Sequence, residues 1–258
     1  MTELLQEAIT SVGKIWLIGA IVFLRVGAAM ALLPGFSERP VPTRVRLALA
    51  LGFTLIVTPG VTNSMLHVDI DVAFVLICLA TETIAGLLIG FSLRLMILVL
   101  ETAGGIAAQS TSLAQMFPGT VEPMPVISHM LVWAGLCLAM IGGLHIRVSE
   151  IFLASYDILP VAQFPDTTLV KGWALGNITA AFALAVRLAA PFYVISFLYN
   201  FALGAINRAM PQLMVAFVGA PAIAFGALLL LLLATPLGLH IWWESFSGFL
   251  SDPFRTLR

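Results

Sequence analysis

Arg25, Glu82 and Arg187 stand well inside long apolar runs of this sequence, and Arg94 stands at the edge of one. A charge placed in hydrocarbon costs about 3 kcal/mol on insertion scales, so each of these side chains must face a protein partner or water. Glu82, Gly86, Gly90 and Arg94 recur every four residues, which on a helix makes one slowly spiralling stripe. The two glycines have the Gly-x-x-x-Gly spacing that lets a second backbone come close. Glu82 and Arg94 are about 18 Å apart along such a helix, too far to pair, so each needs a partner elsewhere. Two chemistries fit. The stripe is either a helix-packing face or part of a proton or ion relay, with Glu82 as the proton site of a transporter. A relay usually needs several carboxylates in series, and only Glu82 lies deep in a span, so packing is the preferred reading.

Other chemistry is missing from the sequence. There is no Gly-x-x-x-x-Gly-Lys-Ser/Thr phosphate loop, no His-Glu-x-x-His zinc motif and no Gly-x-Ser-x-Gly elbow. His67, His129, His145 and His240 are scattered. No catalytic residue, no cofactor site and no metal site is expected. Cys78 and Cys137 both sit in apolar runs and read as buried free thiols. A net charge of −1 offers no basic surface, so nucleic acid is not an expected partner.

The elements that must position these residues are apolar throughout. Of 258 residues, 60% are hydrophobic and 10% charged, against about 25% charged in a soluble domain. Six apolar runs stand out, at about Ile15–Leu33, Val45–Val61, Val72–Leu93, Val126–Leu144, Trp173–Leu203 and Leu213–Trp243. Most reach the roughly 20 residues that cross a hydrocarbon core, and their continuity argues for helices rather than alternating strands. The expected fold is all-α, an integral membrane protein. Cleavage after Ala29-Met30-Ala31 is not expected, because Glu3 and Glu7 outnumber Lys14 ahead of it and Arg25 interrupts its apolar run. Pro34–Pro42 is a loop, Pro59 ends the second run, and a polar connection covers about Arg147–Lys171. The stretch from Arg94 to Pro125 is too polar to span and too apolar for a free loop. Pro191 cannot donate to the Arg187 carbonyl, so a kink is expected there, and Pro221 and Pro236 interrupt the last run. The last two runs form a helical hairpin around Asn207–Pro211.

The distribution of cations is unusual. With six simple spans, Lys14, Arg147, Lys171, Arg255 and Arg258 fall on one side and Arg39, Arg44, Arg46, Arg94 and Arg208 on the other. That tally of five against five lacks the bias of ordinary inner-membrane proteins. Either a span is set wrongly or these helices are not simple spans.

Several segments together resemble the FliR family of flagellar export-gate membrane proteins and its relatives in virulence type III secretion. They are Arg25 followed by Pro34, Pro40, Pro42, Arg44 and Arg46; Glu82-Thr-Ile-Ala-Gly86-Leu-Leu-Ile-Gly90-Phe91; and Gly142-Gly143-Leu-His145 with Ser155 and Pro160 downstream. The most specific is Leu203-Gly204-Ala-Ile-Asn-Arg208-Ala-Met-Pro211-Gln212-Leu213, closing with Gly219-Ala-Pro221. The resemblance covers about residues 10–245. It implies a subunit of kinked, closely packed helices in a helical export gate, with about 1–185 packing like a FliP subunit and about 186–258 like a FliQ hairpin. The partners it implies are FliP, FliQ and FlhB, membrane lipid, and the unfolded flagellar proteins that pass through. The place it implies is the bacterial inner membrane at the flagellar basal body, and it implies no enzymatic activity. On this reading Arg25, Glu82, Gly86, Gly90, Arg94, Arg187, Arg208 and Pro211 are helix-packing or subunit contacts.

The segment Glu101–Pro125 is the candidate gate. Gly104-Gly105 weakens a helix by about 1 kcal/mol per glycine relative to alanine. Gln109, Ser110 and Gln115 can face water, Met116 and Phe117 supply bulky apolar closure, and Pro118-Gly119 ends any helix. Residues of this kind suit either a surface loop at the membrane interface or a hydrophobic constriction that shuts a pore. The family resemblance implies the second, a plug in the lumen of the gate.

Overall fold

A computed structural model describes residues 2–38, 40–66, 68, 71–110, 126–209 and 215–255; the side chains of 2–11, 64, 207 and 215–224 lie outside that description. The described residues form seven helices and no strand. In order they are α1 (Thr2–Met30), α2 (Thr43–Met65), α3 (Val72–Ser110), α4 (Val126–Ile141), α5 (Leu144–Ile158), α6 (Thr167–Ala209) and α7 (Val215–Ser251). Five are long and apolar enough to cross a membrane, and α4 with α5, bent by 73° at a short break, makes a sixth candidate. The protein is an all-α integral membrane protein.

Helices form because hydrocarbon leaves the backbone no other hydrogen-bonding partner. Hydroxyls within them are satisfied the same way. On α2, Thr54, Thr58 and Thr62 each donate to the carbonyl four residues back at 2.7 Å. The helices run further than the sequence suggests. α2 continues through Pro59 to Met65, while Pro191 lies inside α6, and Pro221 and Pro236 inside α7. Proline removes one donor, but a long apolar helix with no water to compete tolerates that loss. Residues 94–110, set apart in the sequence reading, extend α3 to 39 residues. The polar connection expected from Arg147 begins instead as helix α5, started by Gly143 in the left-handed region at φ 81°. At 1.5 Å per residue, the 39 residues of α3, 43 of α6 and 37 of α7 measure about 55–65 Å, nearly twice a hydrocarbon core of about 30 Å. Helices of that length need not end at the membrane faces, which accounts for the uninformative charge tally.

The chain divides into two compact units, each discontinuous in sequence. The first comprises Met1–Leu95, Met140–Asn177 and Phe249–Arg258. Its core follows the inward stripe of α1, where Ile18, Val22, Arg25, Val26 and Ala29 are wholly buried, as is Leu33 just after it. Phe53 stands edge-on to Phe36 and to Phe152, with ring centroids 5.7 and 6.1 Å apart, and Trp173 Nε1 donates to the Pro253 carbonyl at 2.8 Å. The second unit comprises Met96–Ala139 and Ile178–Gly248. There Trp242, wholly buried, stacks on Phe246 and donates through Nε1 to the Met96 carbonyl at 2.7 Å. Cys78 is buried, as expected, whereas Cys137 is on an exposed face of α4; neither is in a disulfide.

Candidate functional site

The first unit contains one fully buried ionic centre. Arg25 on α1 meets Glu82 on α3, Nε donating to Oε2 at 2.8 Å and Nη2 to Oε1 at 3.2 Å. Such a two-point fork is the strong geometry for guanidinium and carboxylate. Arg25 also reaches α5. Its Nη1 donates to Ser155 Oγ at 2.9 Å, and Nη2 donates to the Leu159 carbonyl at 2.7 Å. Ser155 passes its own proton to the Phe152 carbonyl at 2.7 Å, so its hydroxyl is used in both directions. The guanidinium carbon lies 3.8 Å from the centre of the Tyr156 ring, a cation–π contact in a desolvated place. Four of the five guanidinium N–H groups are therefore engaged by α3, by α5 and by Leu159 just past its end. Both charged side chains are sealed from solvent, at 1% and 0% exposure, a burial that only such complete pairing makes tolerable.

The glycine stripe is what lets this centre form. A Cβ on Gly86 would overlap the Arg25 carbonyl oxygen and sit 2.9 Å from the Ala28 Cβ. A Cβ on Gly90 would lie 2.6 Å from the Ala29 carbonyl oxygen and 3.1 Å from the Leu32 Cβ. These two positions bring the backbone of α3 against α1 and carry Glu82 to Arg25. At the far end of the stripe Arg94 forms an ion pair with Glu38, in the loop that follows α1. Arg46 closes the same loop, donating through Nη2 to the Ser37 and Glu38 carbonyls at 3.1 and 3.4 Å. Every member of the stripe is thus engaged by α1 or by the loop after it.

Arg187 and Arg208 are placed differently. Both are exposed on α6, and Arg187 has no hydrogen-bond or ion-pair partner among the described residues. Pro211 falls outside the described residues, as do Gln115, Met116, Phe117, Pro118 and Gly119 of the candidate gate. Gln109 and Ser110 are the last two residues of α3, in the second unit, and Gln109 is exposed. Ser196 on α6 donates its hydroxyl to the Ser110 carbonyl, and Asn200 Nδ2 donates to the Ser196 carbonyl at 2.9 Å, which ties the last residue of α3 to α6. Gly104 serves close approach: its Cβ would lie 2.5 Å from the Ser128 Cα of α4, while Ser128 Oγ donates to the Glu101 carbonyl at 2.9 Å. Among the described residues no group of three or more His, Cys, Asp or Glu side chains is arranged to hold a metal ion.

The profile of a family described as "Bacterial export proteins, family 1" matches residues 16–249, nearly the whole chain. The chain belongs to that family. It is 31% identical to the flagellar biosynthetic protein FliR of Caulobacter vibrioides over 234 residues, covering 89% of this chain and 92% of that one. FliR of Escherichia coli is 28% identical over 239 residues, with 87% and 88% covered. The Yop proteins translocation protein T of Yersinia pestis is 26% identical over 204 residues, with 76% and 77% covered. The Arg25–Glu82 centre, the glycine stripe, Arg187 and Arg208 all lie inside the matched span of this export family. Sequence reading found Arg25 and Glu82 separately and missed Ser155, Tyr156 and Leu159 as their partners. One signal was available: Arg25 and Glu82 are opposite charges, both deep in apolar runs, and neither had a partner of its own.

Proposed function

We propose that this chain is a subunit of the flagellar type III protein export gate. On this reading it is embedded in the bacterial inner membrane at the flagellar basal body. It assembles there with FliP and FliQ subunits and with FlhB, and helps form and close the channel through which unfolded flagellar proteins are secreted. It carries out no reaction of its own; its work is to hold a path and to shut it. The observation that carries the reading is the family match across residues 16–249, joined to relatives named for flagellar biosynthesis that align over nearly their whole length. In this assembly about 1–185 packs in the manner of a FliP subunit and about 186–258 in the manner of a FliQ hairpin. Arg25, Glu82, Gly86, Gly90 and Arg94 hold the chain's own helices in register, while Arg187, Arg208 and Pro211 contact other subunits. Gln109 and Ser110 lead into Gln115, Met116, Phe117, Pro118 and Gly119, which plug the lumen by excluding water. The tether from Ser196 to Ser110 supports this placement, because it anchors the segment at its root.

A second reading, the equivalent subunit of a virulence secretion system, has the Yersinia relative in its favour, at lower identity and coverage than the flagellar relatives. Removing the chain from its native cells separates the two. Loss of secreted flagellar proteins and of motility, restored by the intact chain, supports the flagellar reading; intact motility with loss of a virulence secretion activity overturns it in favour of the second. Deleting Gln109–Gly119 tests the plug. The assembled complex should persist and the membrane should become leaky to ions, and unchanged ion permeability in an assembled complex sinks the plug.

A further inference from the structure

Arg187 stands near the middle of the 40-residue apolar span Thr167–Ile206, exposed and without an ion-pair partner among the described residues. Arg44, Asp157 and Lys171 also have no ion pair among the described residues, but they stand near the ends of their candidate spans, whereas most charges further inside are paired. Arg25 and Glu82 satisfy each other, Arg94 has Glu38, Arg147 has Glu150, and His240 lies near Glu244. Glu101, in the same compact unit as Arg187, forms no ion pair with it among the described residues. The surroundings of Arg187 are apolar on both sides along the helix: Phe182 and Val186 are 62% and 58% exposed, and Tyr193 and Val194 are 61% and 53% exposed. One helical turn away on either side, on the same face, are the exposed small residues Ala183 and Ala190. Pro191 adds a second polar feature, since it has no N–H to give to the Arg187 carbonyl.

These features decide among possible neighbours. A face lining a water-filled path carries polar residues, and this one does not. An arginine at the headgroup level has polar residues on its outer side, and here large apolar side chains continue past it in both directions. Left in hydrocarbon alone, the guanidinium is strongly unfavourable. Alanines flanking a cation form a notch into which another helix can pack closely, bringing an opposite charge to it. The geometry points to a docking face on α6, centred on Arg187, for an apolar membrane helix of another subunit that carries an aspartate or glutamate at the same depth. The carboxylate takes the guanidinium fork, and the alanine notch sets the distance between the helices. This rests on the proposed function only in that the chain works inside a larger assembly.

The test uses the tagged chain in its native membranes with all other components present. A photo-crosslinking residue is placed in turn at Ala183, Val186 and Val194, and the linked peptides are identified by mass spectrometry. In parallel, Arg187→Lys, Arg187→Leu and Arg187→Glu are compared for recovery of the complex in mild detergent. The expected result is a crosslink to an apolar segment of a different chain containing a carboxylate. Complex recovery should be near normal for Arg187→Lys and fall at least tenfold for Arg187→Glu, and should return when the linked carboxylate is changed to arginine in the Arg187→Glu background. That rescue excludes simple misfolding of the variant. Crosslinks only to lipid, crosslinks to a segment without a carboxylate, or full recovery of Arg187→Glu overturns the inference. If the unsubstituted chain itself purifies without other export components, the functional reading fails instead, so the two failures are told apart.

Discussion

Gly90→Ala adds a single methyl group and tests whether α3 must touch α1. The new Cβ would lie 2.6 Å from the Ala29 carbonyl oxygen, and an unstrained carbon–oxygen contact is about 3.3 Å, so the helices must part by about 0.7 Å. Passed along the stripe, that movement takes the 3.2 Å bond from Arg25 Nη2 to Glu82 Oε1 to about 3.9 Å, beyond hydrogen-bond reach. Overpacking contributes about 1–3 kcal/mol of destabilisation. Losing one charged hydrogen bond contributes about 1.5–3 kcal/mol more. Alanine returns about 1 kcal/mol in helix propensity. The net is a loss of about 1.5–5 kcal/mol, which for a chain of this size lowers the thermal midpoint by about 3–20 °C. Gly86→Ala, whose Cβ overlaps the Arg25 carbonyl oxygen, should be worse. Gly52→Ala on α2 is the control, because no atom lies within 4 Å of its Cβ. It gains the propensity and loses nothing. The assay is the thermal midpoint of the detergent-purified assembly, with the amount accumulated in membranes as a second measure. If Gly90→Ala and Gly52→Ala are equally stable, the close approach of α3 to α1 does not hold this fold together.

Three further outcomes follow from the same geometry. Arg25→Leu alone should destabilise by about 3–5 kcal/mol, because it strands Glu82, while Arg25→Leu with Glu82→Leu should recover most of that loss; a double variant no better than the worse single one refutes the pairing argument. Trp242→Phe keeps the stack on Phe246 and removes the donor to the Met96 carbonyl, so it should cost about 1–3 kcal/mol and Trp242→Ala about 3–5 kcal/mol, measured by the same thermal assay. Asp166 starts α6 by accepting from the Thr168 hydroxyl at 2.7 Å and the Thr168 N–H at 2.8 Å, and these bonds, the hydroxyl foremost, hold its carboxyl below the usual aspartate value. Its capping contribution is therefore complete above the ordinary aspartate pKa and fades as pH falls through the lower folded value; Asp166→Asn should flatten that acid response in a pH series of thermal midpoints.

Apolar length made the spans legible: the run at 72–93 became the first part of α3 and the run at 173–203 the middle of α6. Their ends were not legible. Pro59 and Pro236 read as breaks because proline weakens a helix in water, and in an apolar setting nothing competes for the backbone, so α2 and α7 pass through them. Gly104 read as a weak point and is instead a contact point, since only the position of Ser128, 24 residues on, reveals what it touches. The spacing of Glu82, Gly86, Gly90 and Arg94 was visible because it repeats within one helix. Their partners were not, because Arg25, Ala29 and Glu38 lie on other elements, and no local pattern records which helix packs on which. Ser155 and Leu159 were further out of reach, because a hydroxyl and a backbone carbonyl carry no sign of being an arginine's acceptors.

The contacts of Arg25 also order events during synthesis. Its carboxylate partner lies 57 residues downstream and its Ser155 acceptor 130 residues downstream. At about 5–20 residues per second, Arg25 leaves the ribosome roughly 3–11 s before Glu82 and about 7–26 s before Ser155. Until Glu82 is made, the first helix carries a cation with no carboxylate to pair with, at a cost of about 3 kcal/mol in hydrocarbon. The charge is neutralised once α3 arrives, and the guanidinium's remaining hydrogen bonds, to Ser155 and Leu159, close only after α5 follows.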